Sequence, residues 1–307
     1  MLITFITDPV STLDPTKDGT LSLAREAIKR HHEIVLVEGN DLKYQNNKLQ
    51  AAHYTFPELK KQEASFDLRK SDVIMMRVDP PLNLNYIYCT QLLDRLQKTN
   101  PDIKILNPPH LLQSWNEKLS ILNFPDLIPE TIITKKTEEI LSFANKFEDG
   151  IILKPLNEKG GNGIEWLKPN DTQEQKLKKI THTTKDETEF IMAQRYLSEA
   201  RIGDKRITIA NGKIINCILR VPHEDDFRGN ICQGATAHPS EPTEKELKAV
   251  KIITKELTRK SVFLTGLDFI GEHLTEINIT SPITGHNIIP DSSGKIIQEL
   301  ERFIEEN

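Results

Sequence analysis

LTGLDFIGEHLTEINITSP, from Leu264 to Pro282, holds two apolar and β-branched runs on either side of Gly271. The pattern predicts two antiparallel strands joined at Gly271 to His273. Glu276 and Asn278 are two apart on a strand, so they share a face, while Ile277 and Ile279 point to the other. A three-residue loop would set Asp268 directly opposite Glu276. Two carboxylates and an amide oxygen would then converge, which is the hard-oxygen chemistry that suits magnesium beside phosphates. Leu267, Phe269 and Ile270 argue that this hairpin is buried, and buried carboxylates need cations or hydrogen bonds.

Upstream, IILKPLNEKGGNG (Ile151 to Gly163) reads as a buried strand ending at Lys154, followed by a turn with Gly160, Gly161 and Gly163. Such glycines let backbone N–H groups face an anion, and a strand-end lysine can neutralise phosphate. GxxxxGK[ST] is absent, so this is no Walker A loop, and a solvated hairpin turn stays open on spacing alone. Arg201, Arg206, Arg220 and Arg228 form a third set, suited to carboxylate or phosphate. MAQRYL (Met192 to Leu197) reads as a strand leaving the core, able to offer backbone groups to a purine.

Working outward, the first third alternates strand and helix signals: Leu2 to Ile6, Glu33 to Val37, Asp72 to Met76 and Ile103 to Leu106 as strands, and Leu21 to Ile28 as a helix. This favours a parallel sheet with right-handed crossovers. Asn46-Asn47 and Asn211-Gly212 are hairpin turns. Breaks at Pro108-Pro109 and Phe124-Pro125 mark a boundary near 125. Beyond it come a strand at Thr131 to Thr134, a helix over 137–146, strand runs between 187 and 220, a helix with Leu247, Val250, Ile253 and Leu257 on one face, and a last helix over 293–304. Pro222 to Pro239 reads as a polar, loop-like lid. Trp115 and Trp166 read as core rather than a stacking platform.

The 307 residues carry 40 Lys+Arg and 45 Asp+Glu, so the net charge is 40 − 45 = −5. That balance lacks the basic field of a nucleic-acid binder. The 3 cysteines, Cys89, Cys217 and Cys232, form no CxxC pair and no disulfide framework. No run is long and apolar enough to span a bilayer, and the first residues read as a strand rather than a signal peptide. The expectation is a cytoplasmic α/β protein with neither membrane nor nucleic-acid partner. There is no HExxH and no GxSxG.

Taken together, MRVDPP (Met76 to Pro81) with NYIYCT, NEKL (Asn116 to Leu119), ILKPL, MAQRYL, GDKR (Gly203 to Arg206), FRGN (Phe227 to Asn230), GLDFIG and LTEINITSP resemble the bacterial glutathione synthetases of the ATP-grasp superfamily over nearly the whole chain. The resemblance implies an ATP-grasp fold, α/β (α+β) in class. An N-terminal parallel-sheet domain would cover 1–124, a central subdomain 125–200 and a C-terminal subdomain 201–307, with the nucleotide between two β-sheets. It implies ligation of γ-glutamylcysteine to glycine through an acyl phosphate, with ATP going to ADP and phosphate. Lys118, Lys154, Gly160, Gly161 and Asp204 fall at ATP-binding positions, and Gln194, Arg195, Tyr196 and Leu197 at the adenine hinge. Arg206, Arg220 and Arg228 fall at catalytic positions, Arg77 and Asn230 at substrate positions, and Asp268, Glu276 and Asn278 at magnesium (or manganese) ligands for two ions. It also implies a homo-oligomer, often a tetramer. The stretch Ser281 to Ile289 departs from the family pattern where the acceptor should bind. A sister ligase with another acceptor amine or γ-glutamyl donor is the alternative; a non-catalytic nucleotide-binding regulator is disfavoured by both lysines and all three ligand positions.

Overall fold

The computed structural model describes residues 1–79, 81–223, 229, 234–282 and 285–306. The expected site residues Arg228 and Asn230 lie outside them, as does half of the expected lid.

The first sheet holds β1 (Leu2–Thr7), β2 (Glu33–Glu38), β3 (Lys43–Gln45), β4 (Lys48–Thr55), β5 (Lys60–Asp67), β6 (Val73–Met76) and β7 (Lys104–Leu106). β2, β1, β6 and β7 run parallel in that spatial order. The alternating β-branched and apolar residues bury both faces, as a parallel sheet requires. Ile3, Phe5 and Val73 pack toward α1 (Gly19–Lys29), whereas Ile6, Ile74 and Met76 pack toward α2 (Leu84–Thr99). Asn46 and Asn47 both have positive φ, 52° and 57°, which is the hairpin turn their sequence predicts. A short helix, α3 (Pro109–Ser114), follows β7.

The second sheet is antiparallel. It contains β8 (Thr131–Thr134), β9 (Ile151–Pro155), β10 (Glu165–Leu167) and β11 (Ile191–Arg195), in the order β10-β9-β11-β8. α4 (Thr137–Ala144) and α5 (Gln173–Thr184) cover one face through Ile140, Phe143 and Ile180. Thr172 and Gln175 form a reciprocal cap at the start of α5.

The third sheet contains β12 (Asp204–Ala210), β13 (Lys213–Val221), β14 (Thr236–Pro239), β15 (Leu264–Ile270) and β16 (His273–Asn278). Its order is β14-β13-β12-β15-β16, all antiparallel. α6 (Glu244–Arg259) and α7 (Ser292–Glu306) complete the chain. Two details differ from the sequence reading. Thr236–Pro239, expected as loop, pairs with β13 as an edge strand, where a terminal proline is tolerated. Leu247 is exposed: the buried stripe of α6 runs through Glu246, Ala249, Val250, Ile253 and Leu257.

β16 lies at a sheet edge, and residues 107–117 satisfy that edge. Trp115 Nε1 donates to Ile277 O at 2.9 Å, and Ile277 N donates to Glu117 O at 3.0 Å. The buried Asn107 uses both ends of its amide. Nδ2 donates to Leu264 O and Ile279 O, at 2.8 and 2.7 Å, and Oδ1 accepts from Phe263 N and Leu264 N, at 2.7 and 3.0 Å. One side chain thus ties the first sheet to both strands of the hairpin. Buried backbone groups left without partners are costly. Asn107→Ala is expected to lower unfolding free energy by about 3 kcal/mol or more. Urea titration reads this, and a loss below about 1 kcal/mol would refute the clamp.

Candidate active site

The second and third sheets face each other across a cleft lined by Ile152, Lys154, Gln194, Tyr196, Leu197, Asp204, Asp268, Ile270 and Glu276. Its third-sheet wall follows from strand register. Asp204 on β12 pairs with Arg220 on β13, and Arg206 on β12 pairs with Asp268 on β15. Residues directly opposite share a face, so four charges meet. Arg206 grips Asp268 with two hydrogen bonds, Nε to Oδ1 at 2.7 Å and Nη2 to Oδ2 at 2.6 Å. Arg220 Nη2 adds one to Asp268 Oδ2 at 2.9 Å, and its Nε bonds Asp204. Burial alone would raise the Asp268 carboxyl, but the two guanidiniums override it and hold it down to about 2. At Asp204 burial wins over Arg220, and the carboxyl lies above its ordinary range.

Asp268 does sit opposite Glu276, by a different route from the expected loop. The turn is the two-residue Gly271-Glu272, with Ile270 paired to His273 and Phe269 to Leu274. The register then shifts, leaving Thr275 as the extra residue of a bulge, which restores the Asp268–Glu276 pairing. Asn278 stands opposite Gly266.

The lysines come from the other side. Burial pushes the Lys154 ammonium down to about 8, against the pull of Glu276. Its Nζ donates to Gln194 Oε1 at 2.7 Å, and Gln194 Nε2 donates to Thr131 Oγ1 at 2.9 Å. Gln194, expected at the adenine hinge, therefore turns its side chain to the lysine. Lys118 is also buried, and despite that its ammonium lies above the ordinary range because Glu276 and Glu117 face it. Lys118 Nζ bonds Glu117 Oε1 at 2.9 Å and Glu158 O at 2.8 Å, and lies 3.8 Å from Glu276 Oε1. Asn116 Nδ2 donates to Leu156 O at 2.8 Å. The NEKL segment thus staples the turn whose Gly160 and Gly161 take positive φ, 63° and 79°.

Tyr196 and Leu197 continue β11 into the cleft, while Arg195 Nε turns to Glu130 at 2.6 Å. Trp166 stacks on Tyr196 with ring centroids 4.1 Å apart and planes 16° apart, so it is an aromatic backing and not merely core. Trp115 is core, as expected. Arg77 is buried: Nε meets Thr20 Oγ1 and Nη2 meets Pro282 O, both at 3.2 Å, while Nη1 has no hydrogen-bond partner among the described residues.

Among the described residues no group of three or more His, Cys, Asp or Glu forms a ready cation cage. The donors present still fit a hard cation, because Glu276 keeps a partly open carboxylate at the cleft and phosphate oxygens could complete the shell. Sequence reasoning missed Glu117. Its only signal was its place beside Lys118.

The fold is that of an ATP-grasp protein, and comparison with known proteins gives the class of ligase. The model of the prokaryotic glutathione synthetase N-terminal domain matches residues 1–113, and that of the ATP-grasp domain matches residues 117–292. A glutathione synthetase of Gloeobacter violaceus is 36% identical over 310 residues, covering 97% of this chain and 94% of its own. That of Vibrio parahaemolyticus is 34% identical over 313 residues, covering 97% of each. Among solved structures, D-cycloserine synthetase DcsG superposes with a TM-score of 0.71 at 9% identity, covering 99% of this chain and 100% of its own. The ATP-grasp ligase PsnB, solved with a precursor variant, Mg and ADP, gives 0.65 at 12%, covering 98% of this chain and 97% of its own. The chain belongs to the prokaryotic glutathione synthetase family, and its activity is ATP-dependent glutathione synthesis. No helix among the described residues is long and apolar enough to cross a membrane.

The depressed Lys154 gives a pH test. Free enzyme holds this lysine largely neutral above about pH 8, whereas an unfolded chain keeps the proton to about 10.5. The unfolded state binds more protons in that window, so stability contributed by this group rises from pH 8 to 10.5. Nucleotide phosphates favour the charged form. Binding of ATP at pH 9 should therefore take up a large fraction of a proton, and at pH 6.5 almost none. Calorimetry in buffers of different ionisation enthalpy reads this, and Lys154→Met should abolish the uptake. Equal uptake in the variant would show that the proton goes elsewhere than Lys154.

Proposed function

We propose that the cleft holds ATP with its purine against Ile152, Tyr196 and Leu197, and its phosphates toward Lys118, Lys154 and the Gly160-Gly161 turn. The single observation that carries this reading is a cleft in which buried Lys154 stands among Asp204, Asp268 and Glu276, with an apolar, aromatic-backed end; Lys118 reaches it through Glu276, and Arg206 and Arg220 through Asp268. Asp268, Glu276 and Asn278 would hold divalent cations, magnesium or manganese and two in number. When bound, such ions offset charge on the phosphates.

A carboxylate is a poor electrophile because its charge repels an amine. One oxygen of the dipeptide carboxylate attacks the γ-phosphorus, the bond to the β-bridging oxygen breaks, and ADP leaves. The amine of glycine then attacks the acyl carbon, loses a proton, and expels phosphate. Arg206 and Arg220 would stabilise the oxyanion of that step. Arg77, with one buried N–H group unpartnered, is the proposed contact for the dipeptide, and Arg228 and Asn230 belong to the proposed lid. Gln194 and Asp204 act through their partners, holding Lys154 and Arg220 in place. We propose the division into 1–124, 125–200 and 201–307, which the sequence ranges of the three sheets support. We also propose a cytoplasmic homo-oligomer acting on small molecules, with no nucleic-acid or membrane partner.

The test is ADP release together with mass spectrometry of the product. Turnover should require γ-glutamylcysteine and glycine together. Alanine or serine should replace glycine at a detectable but lower rate, because rejecting one methylene is worth only about 1–3 kcal/mol. Preference for another amine, or for another γ-glutamyl donor, would favour the sister-ligase reading.

A further inference from the structure

Glu117 is a partly buried carboxylate whose two oxygens face two different partners, Lys118 and Asn278. Oε1 accepts from Lys118 Nζ at 2.9 Å. Oε2 accepts from the Asn278 carboxamide, whose hydrogen bonds are satisfied in one orientation: Nδ2 donates to Glu117 Oε2 at 2.8 Å, and Oδ1 accepts from Arg206 Nη2 at 3.1 Å. The backbone keeps this geometry in register. Ile277 N donates to Glu117 O at 3.0 Å, which pins Glu117 to β16 between Glu276 and Asn278.

An asparagine has one accepting and one donating end, and only the oxygen ligates a hard cation. Nothing intrinsic to Asn278 selects that end. We propose that Glu117 is a positioning residue that selects it: by taking the NH₂ end, it leaves the oxygen on the side of Arg206 and Asp268, toward the cation site. This rests on Asn278 being a cation ligand. A carboxylate is required at 117 because it only accepts. Lys118 is a pure donor, so an amide at 117 would turn its oxygen to Lys118 and its NH₂ to Asn278. The Asn278 amide would then meet donors on both sides, the new NH₂ group and Arg206 Nη2, and its oxygen would no longer be held toward the cation. The same argument makes Lys118 and Asn278 communicate through Glu117.

The test is a double-mutant cycle read by binding. Free Mn²⁺ is followed by electron paramagnetic resonance as protein is added to fixed Mn²⁺ and a non-hydrolysable ATP analogue. Melting midpoints taken without metal establish that each variant is folded. Glu117→Gln should weaken apparent Mn²⁺ affinity by about 10-fold or more, the scale seen when a residue orienting a metal ligand is lost. In an Asn278→Asp background the ligand has two equivalent oxygens and needs no orienting. There Glu117→Gln should cost less than about 2-fold, or improve affinity by removing carboxylate–carboxylate repulsion. Equal losses in both backgrounds would make Glu117 a ligand or a structural prop, and no loss in either would make it irrelevant; both overturn the proposal. Glu276→Gln separates the two readings. If it leaves Mn²⁺ affinity unchanged, the cation site itself is misplaced; if it weakens affinity while Glu117→Gln does not, only the role of Glu117 falls.

Discussion

Charges in a low-dielectric cleft must be paired, and here one carboxylate pairs twice. Asp268 accepts from both Arg206 and Arg220, and Arg220 reaches on to Asp204. This chain of four crosses β13, β12 and β15, so it exists only in one strand register. A slip of one residue would send every one of these side chains to the opposite face. Losing one member would strand a buried charge, which typically costs about 3–5 kcal/mol. The network therefore fixes the third sheet and the charged wall of the cleft together.

That wall matters because the other side is built from different parts of the chain. Lys154 rides on β9 and is held by Gln194 of β11. Lys118 comes from the segment that follows the first sheet, and the same segment lies along the free edge of β16. Asn107 ties that edge back to the first sheet. The proposed phosphate and cation sides are thus not independently placed. Movement of the NEKL segment would shift Lys118, Glu117 and β16 at once.

Much of this was legible in the sequence. The 2-residue periodicity of Glu276 and Asn278, the parallel strands of the first third, and the Asn-Asn and Asn-Gly turns all follow from local rules that burial did not override. The pairing of Asp268 with Glu276 was right although the loop was not: a shorter turn and a bulge at Thr275 reach the same register. β5 gave no signal because it is mostly exposed and polar, so neither alternation nor apolar runs mark it. Trp166 was misjudged because stacking on Tyr196 joins residues thirty apart in sequence, brought together only by the fold. Glu117 and Asn107 were silent for the same reason. Their partners lie far along the chain, and a single polar residue carries no period.

On the proposed route the carboxylate is phosphorylated before the amine attacks. Labelling decides it most directly. γ-Glutamylcysteine carrying ¹⁸O in its cysteinyl carboxylate is converted with ATP and glycine, and the phosphate released is analysed by ³¹P nuclear magnetic resonance or mass spectrometry. The account predicts phosphate with one ¹⁸O from each fully labelled dipeptide. Phosphate free of label would mean that no bond ever joined the carboxylate oxygen to phosphorus, and would contradict the acyl-phosphate route.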